Sequence, residues 1–351
     1  MRTVHGGLDT SELRELGLQP EDVIDFSSNI NPLGTSERVR QAAADANLSA
    51  YPDRDCLLLR EALGDRLGVG RDHLLVGNGS TELIHLLTRA RLYEGATCLL
   101  FEPTFGEYEA AAALAGAIIR RVAAEETDDF CWSIESAERI IRRSRPDVVF
   151  LCNPNNPTGR YLDCERVQRI QTAIGPDALL VLDDAYVSLS EDRWDSVQLL
   201  ETGNVVILRS MTKEHALAGA RLGYMAATPE LIEDIPRLQP AWSVNAVALS
   251  AGLAALADEE HLEAARQVIR SAKAYLYSQC TAMGLGFTPS ATNFLIVKVG
   301  DATRVRADLL RRGIAVRDCT SFGLPEHIRI AVRRREECEQ LVSALRQVLG
   351  R

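Results

Sequence analysis

Six apolar runs, at about 97–101, 118–122, 147–152, 179–182, 204–208 and 222–227, follow one another through the middle of the chain. Helical patterns or short loops separate them. Runs that are apolar almost throughout, rather than alternating, suit strands covered on both faces, and this rhythm predicts a mostly parallel sheet in an α/β fold. Ligands of such sheets bind beyond the carboxyl ends of the strands. The sequences at those ends are polar and specific: Glu102-Pro103-Thr104-Phe105 with Tyr108 nearby, Asn153 to Gly159, Asp183-Asp184-Ala185-Tyr186, and Ser210 to Lys213.

Lysine is scarce in this chain. Only residues 213, 273 and 298 are lysine among 39 basic residues. A lysine at a strand end, where arginine serves nearly everywhere else, points to a primary amine that can lose its proton and form a Schiff base. Upstream, Leu74-Leu75-Val76 leads into Gly77-Asn78-Gly79-Ser80-Thr81-Glu82, which opens a helical pattern. Glycines and small hydroxyls at a helix start present backbone N–H groups to an anion. The third glycine of the dinucleotide fingerprint and the P-loop lysine are both missing.

A length of 351 residues with 46% hydrophobic content supports a large core. The net charge of -10 argues against nucleic acid and anionic membranes as partners. The eight cysteines form no C-x-x-C pair and the six histidines no i, i+4 pair, so neither a disulfide framework nor a metal site is expected. No apolar run reaches membrane-spanning length and the first 20 residues lack the apolar core of a signal peptide, so a cytoplasmic protein is expected. Beyond residue 228 the pattern changes to a long helical region from Ala246 to about Met283, followed by three short strands with helices. This divides the chain into a large domain, 45–235, and a small α/β domain formed by 1–44 and 236–351.

The strand ends together meet the needs of a cofactor with an aldehyde, a phosphate, a ring nitrogen and a phenolic oxygen. Lys213 suits the aldehyde, and Asp183 a protonated ring nitrogen, which makes the ring an electron sink. Asn156 and Tyr186 suit the phenolic oxygen, and either Phe105 or Tyr108 the ring face. Gly79, Ser80, Thr81, Ser210 and Arg221 suit the phosphate. These needs are those of pyridoxal 5'-phosphate.

With these motifs in this order, Gly77 to Glu82, Asn153 to Gly159, Asp183 to Tyr186, Ser210-x-x-Lys213 and Arg221-x-Gly223-Tyr224, the chain resembles the fold-type I pyridoxal-phosphate enzymes. Within them it is similar to the branch of histidinol-phosphate aminotransferases and threonine-phosphate decarboxylases. The resemblance implies a large domain with a mostly parallel seven-stranded sheet sandwiched by helices, and a smaller α/β domain. It implies Lys213 as the Schiff-base residue, Asp183 at the pyridine nitrogen, Asn156 and Tyr186 at the phenolic oxygen, and Arg329 at the substrate carboxylate. It also implies a homodimer in which Tyr51 reaches the phosphate of the partner subunit's cofactor.

His5-Gly-Gly7, Asp25 to Gly34, Arg317 to Leu324 and His327 to Arg333 look like the decarboxylase of the cobalamin aminopropanol arm. The aminotransferases usually have glycine where Arg333 stands. A phosphorylated amino acid carries two anionic ends, and His5, Asn29, Asn156, Arg317, Arg329 and Arg333 are the residues expected to divide them. The expected reaction is therefore decarboxylation of L-threonine O-3-phosphate, or a closely similar phosphorylated amino acid, to aminopropanol phosphate. The alternatives are a histidinol-phosphate-type aminotransferase, a specialised enzyme on the same scaffold and, with least support, a non-catalytic module. Glu214-His215 departs from the relatives, and a carboxylate beside the imine is expected to alter its protonation.

Overall fold

The structure is a computed structural model that describes residues 4–351. Seven strands form the large sheet: β1 (Leu74–Asn78), β2 (Thr97–Glu102), β3 (Ile118–Ala123), β4 (Val148–Cys152), β5 (Leu179–Asp183), β6 (Val205–Ser210) and β7 (Leu222–Ala226). Their spatial order is β1-β7-β6-β5-β4-β2-β3, with β7 antiparallel to both neighbours and the other pairs parallel. The central strands are buried along their whole length because each face has its own core. Val149, Leu151, Leu180 and Leu182 point into one apolar cluster, and Val148, Phe150, Val181 and Leu208 into the other. β3 lies at the edge, which is why it tolerates Arg120 and Arg121 in its middle.

A second sheet of three antiparallel strands has the order β9-β10-β8, from β8 (Phe294–Lys298), β9 (Arg317–Asp318) and β10 (His327–Ala331). Its core gathers Leu295, Val297, Ile328 and Ile330 with Phe26 from the N-terminal stretch. The two-residue strands Ile24–Asp25 and Ile314–Ala315 pair in parallel and bring that stretch to this side of the molecule.

Helix α1 (Gly79–Arg91) follows β1, and α2 (Glu107–Leu114) follows β2. The helical region expected from Ala246 to about Met283 is two helices, Ala246–Leu256 and α3 (Glu259–Ala282). The break falls where the Asp258 side chain accepts from His261 N and so starts a new helix. No helix among the described residues is long and apolar enough to cross a membrane.

Candidate active site

The carboxyl ends of β1, β2, β4, β5 and β6 meet around one cleft. It is lined by Ser80, Thr81, Phe105, Tyr108, Asn156, Asp183, Tyr186, Ser210, Lys213 and Arg221, and also by Cys152, Ala185 and Thr212. Thus the cofactor residues expected from the sequence come together, apart from Gly79 behind the helix start and Tyr51. Tyr51 is 81% exposed and stacks on Trp242 with ring centroids 4.6 Å apart, outside this cleft.

Lys213 lies on the four-residue helix Met211–Glu214 that directly follows β6. Burial, reinforced by Arg329 and Arg221, pushes its amine down to about 8, so it loses its proton far more readily than a free lysine. The turn is held from outside: Asn31 N donates to Lys213 O at 2.8 Å and Asn31 Nδ2 to Glu214 O at 2.9 Å. Glu214 does not face the amine. It lies 3.3 Å from His215 Nε2, and although burial opposes its charge, His215, Ser188 and Arg209 hold its carboxyl at about 2. The expectation that this carboxylate tunes the imine is corrected accordingly: residues 213 and 214 point about 100° apart around a helical turn.

Asp183 ends β5, buried at the floor of the cleft. Burial raises its carboxyl above the usual range, against the stabilising hydrogen bonds from Tyr108 Oη (2.5 Å) and Ala185 N (3.0 Å). It makes no ion pair with lysine or arginine among the described residues, so a cation reaching the cleft would be strongly favoured there. Tyr108 is itself fully buried, stacked on Phe150 at 4.8 Å and 12°, which leaves its face covered. Phe105, half-buried at the rim, is the less deeply buried of the two aromatics lining the cleft, and it meets Tyr108 edge-on at 5.6 Å.

At the start of α1, Gly79 has a φ of +76° and a Cβ there would come within 2.8 Å of Arg221 Nη2. A Cβ on Gly223 would come within 2.5 Å of Ser80 N. The two glycines therefore let the guanidinium and β7 approach the helix start, and Ser210 Oγ and Thr212 Oγ1, 2.6 Å apart, complete a hydroxyl-rich cup there. Thr212 is missed in the sequence reading, although it sits inside the Ser210-to-Lys213 motif.

The first two asparagines of the Asn153 to Gly159 loop fix its backbone and tie it to neighbouring segments. Asn153 donates to and accepts from Leu162, and Asn155 donates to Pro103 O and Thr158 Oγ1. Asn156 is thereby aimed into the cleft, where its Oδ1 accepts from Arg329 Nη1. Tyr186 is buried, which raises its phenol to about 12, and Asn29 Nδ2 donates to its oxygen at 3.4 Å. Asn29 Oδ1 is buried without a hydrogen-bond partner among the described residues.

Facing the cleft is the small sheet. Arg317 and Arg329 are directly opposite each other in the β9–β10 ladder, on one face. Arg329 donates from Nη2 to Ser27 O at 2.8 Å, and its Nε has no partner among the described residues; burial lowers its pKa. Arg317 donates to Val4 O and Ser321 Oγ, and burial, then Arg329, push it down to about 10. Neither makes an ion pair among the described residues. Two adjacent buried guanidinium groups with no carboxylate to answer them are costly unless an anion arrives. His5 reaches the rim and packs on Phe105 at 5.6 Å. Arg333 is not brought to the cleft: Glu337 Oε1 accepts from its Nε and Nη2 at 3.0 and 2.6 Å, and Asp25 O from its Nη1.

Residues 21–345 match the family described as Aminotransferase class I and II. The chain belongs to this family. Histidinol-phosphate aminotransferase of Symbiobacterium thermophilum is 40% identical over 342 residues, 96% of this chain and 93% of its own. Further curated relatives at 33–38% identity carry the same activity in their names. The crystal structure of the histidinol-phosphate aminotransferase from Sinorhizobium meliloti, in complex with pyridoxal-5'-phosphate, superposes with a TM-score of 0.87 at 26% identity, covering 98% of this chain and 95% of that one. An L-threonine-O-3-phosphate decarboxylase from Porphyromonas gingivalis gives a TM-score of 0.81 at 25% identity, covering 93% of this chain and 99% of that one.

These relatives overturn the expected decarboxylation of threonine phosphate and its place in the cobalamin arm: the aminotransferase name recurs at 33–40% identity over nearly the full chain. The structure supplies the physical reason for the misreading. Arg333 carried much of the distinction, and its charge is spent on Glu337 rather than on the cleft.

Proposed function

We propose that this aminotransferase-family enzyme moves an amino group between an amine bearing a phosphate, of the histidinol phosphate type, and a 2-oxo acid. Its cofactor is pyridoxal 5'-phosphate, and the donor set fits it: a lysine of lowered pKa, a buried carboxylate lacking a cation, a half-buried aromatic, and a helix start with hydroxyls and an arginine. When bound, that group supplies an aldehyde carbon for amines and a ring that accepts electrons.

The side chains divide the remaining work. Asp183, oriented by Tyr108, would answer the positive charge of the ring nitrogen, and Asn156 and Tyr186 would serve the phenolic oxygen. Phe105 would pack on the ring, while Ser80, Thr81, Ser210 and Arg221 would hold the phosphate. Neutral Lys213 Nζ takes the proton from the carbon bearing the amino group. Arg329 and Arg317 bind the anionic parts of either partner, phosphate in one half-reaction and carboxylates in the other. The observation that carries this reading is the uncompensated arginine pair beside the lysine cleft.

The enzyme acts as a homodimer in this reading. The exposed Tyr51–Trp242 stack is an apolar feature of the kind that subunits cover, and Tyr51 would then reach the partner's cofactor phosphate. The test is to incubate the yellow protein with histidinol phosphate and 2-oxoglutarate. Glutamate is expected; a yellow protein that forms none would remove the substrate assignment, and a colourless one that takes up no cofactor would remove the enzyme reading.

A further inference from the structure

One carboxylate at the rim of the cleft gathers partners from distant parts of the chain. Glu107 opens α2, two residues after Phe105 and one before Tyr108, and is buried. Its Oε1 lies 2.7 Å from His5 Nε2, and its Oε2 3.1 Å from His85 Nε2, one helical turn beyond Thr81 on α1. The segment around His5 is pinned at three further points. Val4 O accepts from Arg317 Nη2 at 2.8 Å, and Gly7 N donates to Ser27 Oγ at 2.8 Å. Gly6 lies so close that a Cβ would come within 2.2 Å of Ser27 O and 3.3 Å of Arg329 Nη2.

We propose that Glu107 is a positioning residue that holds Val4–Gly7 as a strap over the substrate end of the site and ties that strap to the helix carrying Ser80 and Thr81. The inference rests on the aminotransferase reading for what the strap covers, and on geometry alone for the tie. A segment outside any helix or strand loses much backbone freedom when fixed, and its pins must offset that loss. Of the four, the His5–Glu107 contact is the one that reaches a helix packed on the large sheet, and its acceptor is a carboxylate, the stronger kind. Through it His5 is kept against Phe105, and Gly6 over the guanidinium that receives the anion. A strap in that position excludes water from the arginine pair, where a drier environment strengthens anion binding. A purely structural Glu107, serving only the packing of α1 on α2 through His85, would not act on the strap.

The test uses the holoprotein with Glu107→Gln, His5→Ala and the two combined. Hydrogen–deuterium exchange over residues 4–10 needs no turnover: each single change is expected to speed exchange about tenfold, and the double change no more than either alone. In steady state, KM for histidinol phosphate is expected to rise about tenfold while kcat and the visible absorbance stay within about twofold, again without further loss in the double variant. His5→Gln, which keeps a donor to Glu107, restores the protection, and the pair of His5 variants carries the test if Glu107→Gln fails to fold. Unchanged exchange in the single variants, or additive effects in the double, overturn the proposal. Coupled exchange in a protein that does not turn over histidinol phosphate supports the strap and removes only the substrate assignment.

Discussion

Along the carboxyl edge of the large sheet, Lys213, Asp183 and Asn156 stand just beyond neighbouring strands, where the backbone ladder fixes their spacing before anything binds. On the facing side, Arg317 and Arg329 project from two short strands, donating to Val4 O and Ser27 O, and two like charges sit together with no ion-pair partner among the described residues. The cofactor half is preorganised, with its few polar groups oriented by hydrogen bonds. The substrate half stores an electrostatic imbalance that an anion relieves. Damage to the first is therefore expected to remove chemistry, and damage to the second to weaken binding.

The largest expected effect is that of Lys213→Ala, a loss of about 10⁴-fold or more in kcat together with the borohydride-sensitive visible absorbance. Residual activity within tenfold of the parent enzyme would remove the lysine from the chemistry. Next comes Arg329→Gln, expected to lower kcat/KM about 10²-fold, mainly through KM, as loss of a buried charged partner does. Steady-state kinetics in which kcat carried most of that loss would erase the division between the halves.

The two halves also meet in one titration. Burial, then Arg329 and Arg221, lower Lys213, so its amine is charged and unreactive below about 8 and neutral above it. The rate at which apoprotein takes up pyridoxal phosphate, followed by stopped-flow absorbance, is therefore expected to rise about tenfold per pH unit up to about 8 and then level off. In Arg329→Gln one repelling charge is gone, so the break moves to higher pH; an unmoved break would show that the halves are electrostatically independent. Smallest of all is Arg333→Ala. Its pair with Glu337 is partly solvated, and kcat/KM is expected to change less than about threefold, with a fall in Tm of a few degrees in a thermal melt. A loss as large as that of Arg329→Gln would return Arg333 to the substrate site.

Most of the residues lining the cleft lie in short motifs directly after an apolar run, so the strand end that creates the site also marks it; Arg221, just before the run 222–227, was marked instead by the Arg221-x-Gly223-Tyr224 motif. Phe105 and Tyr108 were both legible as aromatics, but only depth separates an open ring face from one pressed on Phe150. Glu214 misled because neighbours in sequence on a helical turn are not neighbours in space. Arg333 misled for the opposite reason: its i, i+4 partner Glu337 was visible in the sequence, and an arginine so placed has an answer to its charge without any substrate. His5 and Glu107 are 102 residues apart, and no local pattern announces a contact of that kind.

The register that sets Arg317 against Arg329 has a further consequence. Because the roots of the two guanidinium groups are spaced by main-chain hydrogen bonds, roughly 5 Å apart across the ladder, the pair works as a caliper whose jaws cannot drift with side-chain repacking. Sliding one strand by a single residue would turn one arginine to the opposite face, and sliding it by two would part the pair along the sheet. Changes of substrate on this scaffold are thereby steered away from the gauge itself and toward the lengths and chemistry of the side chains that close around it.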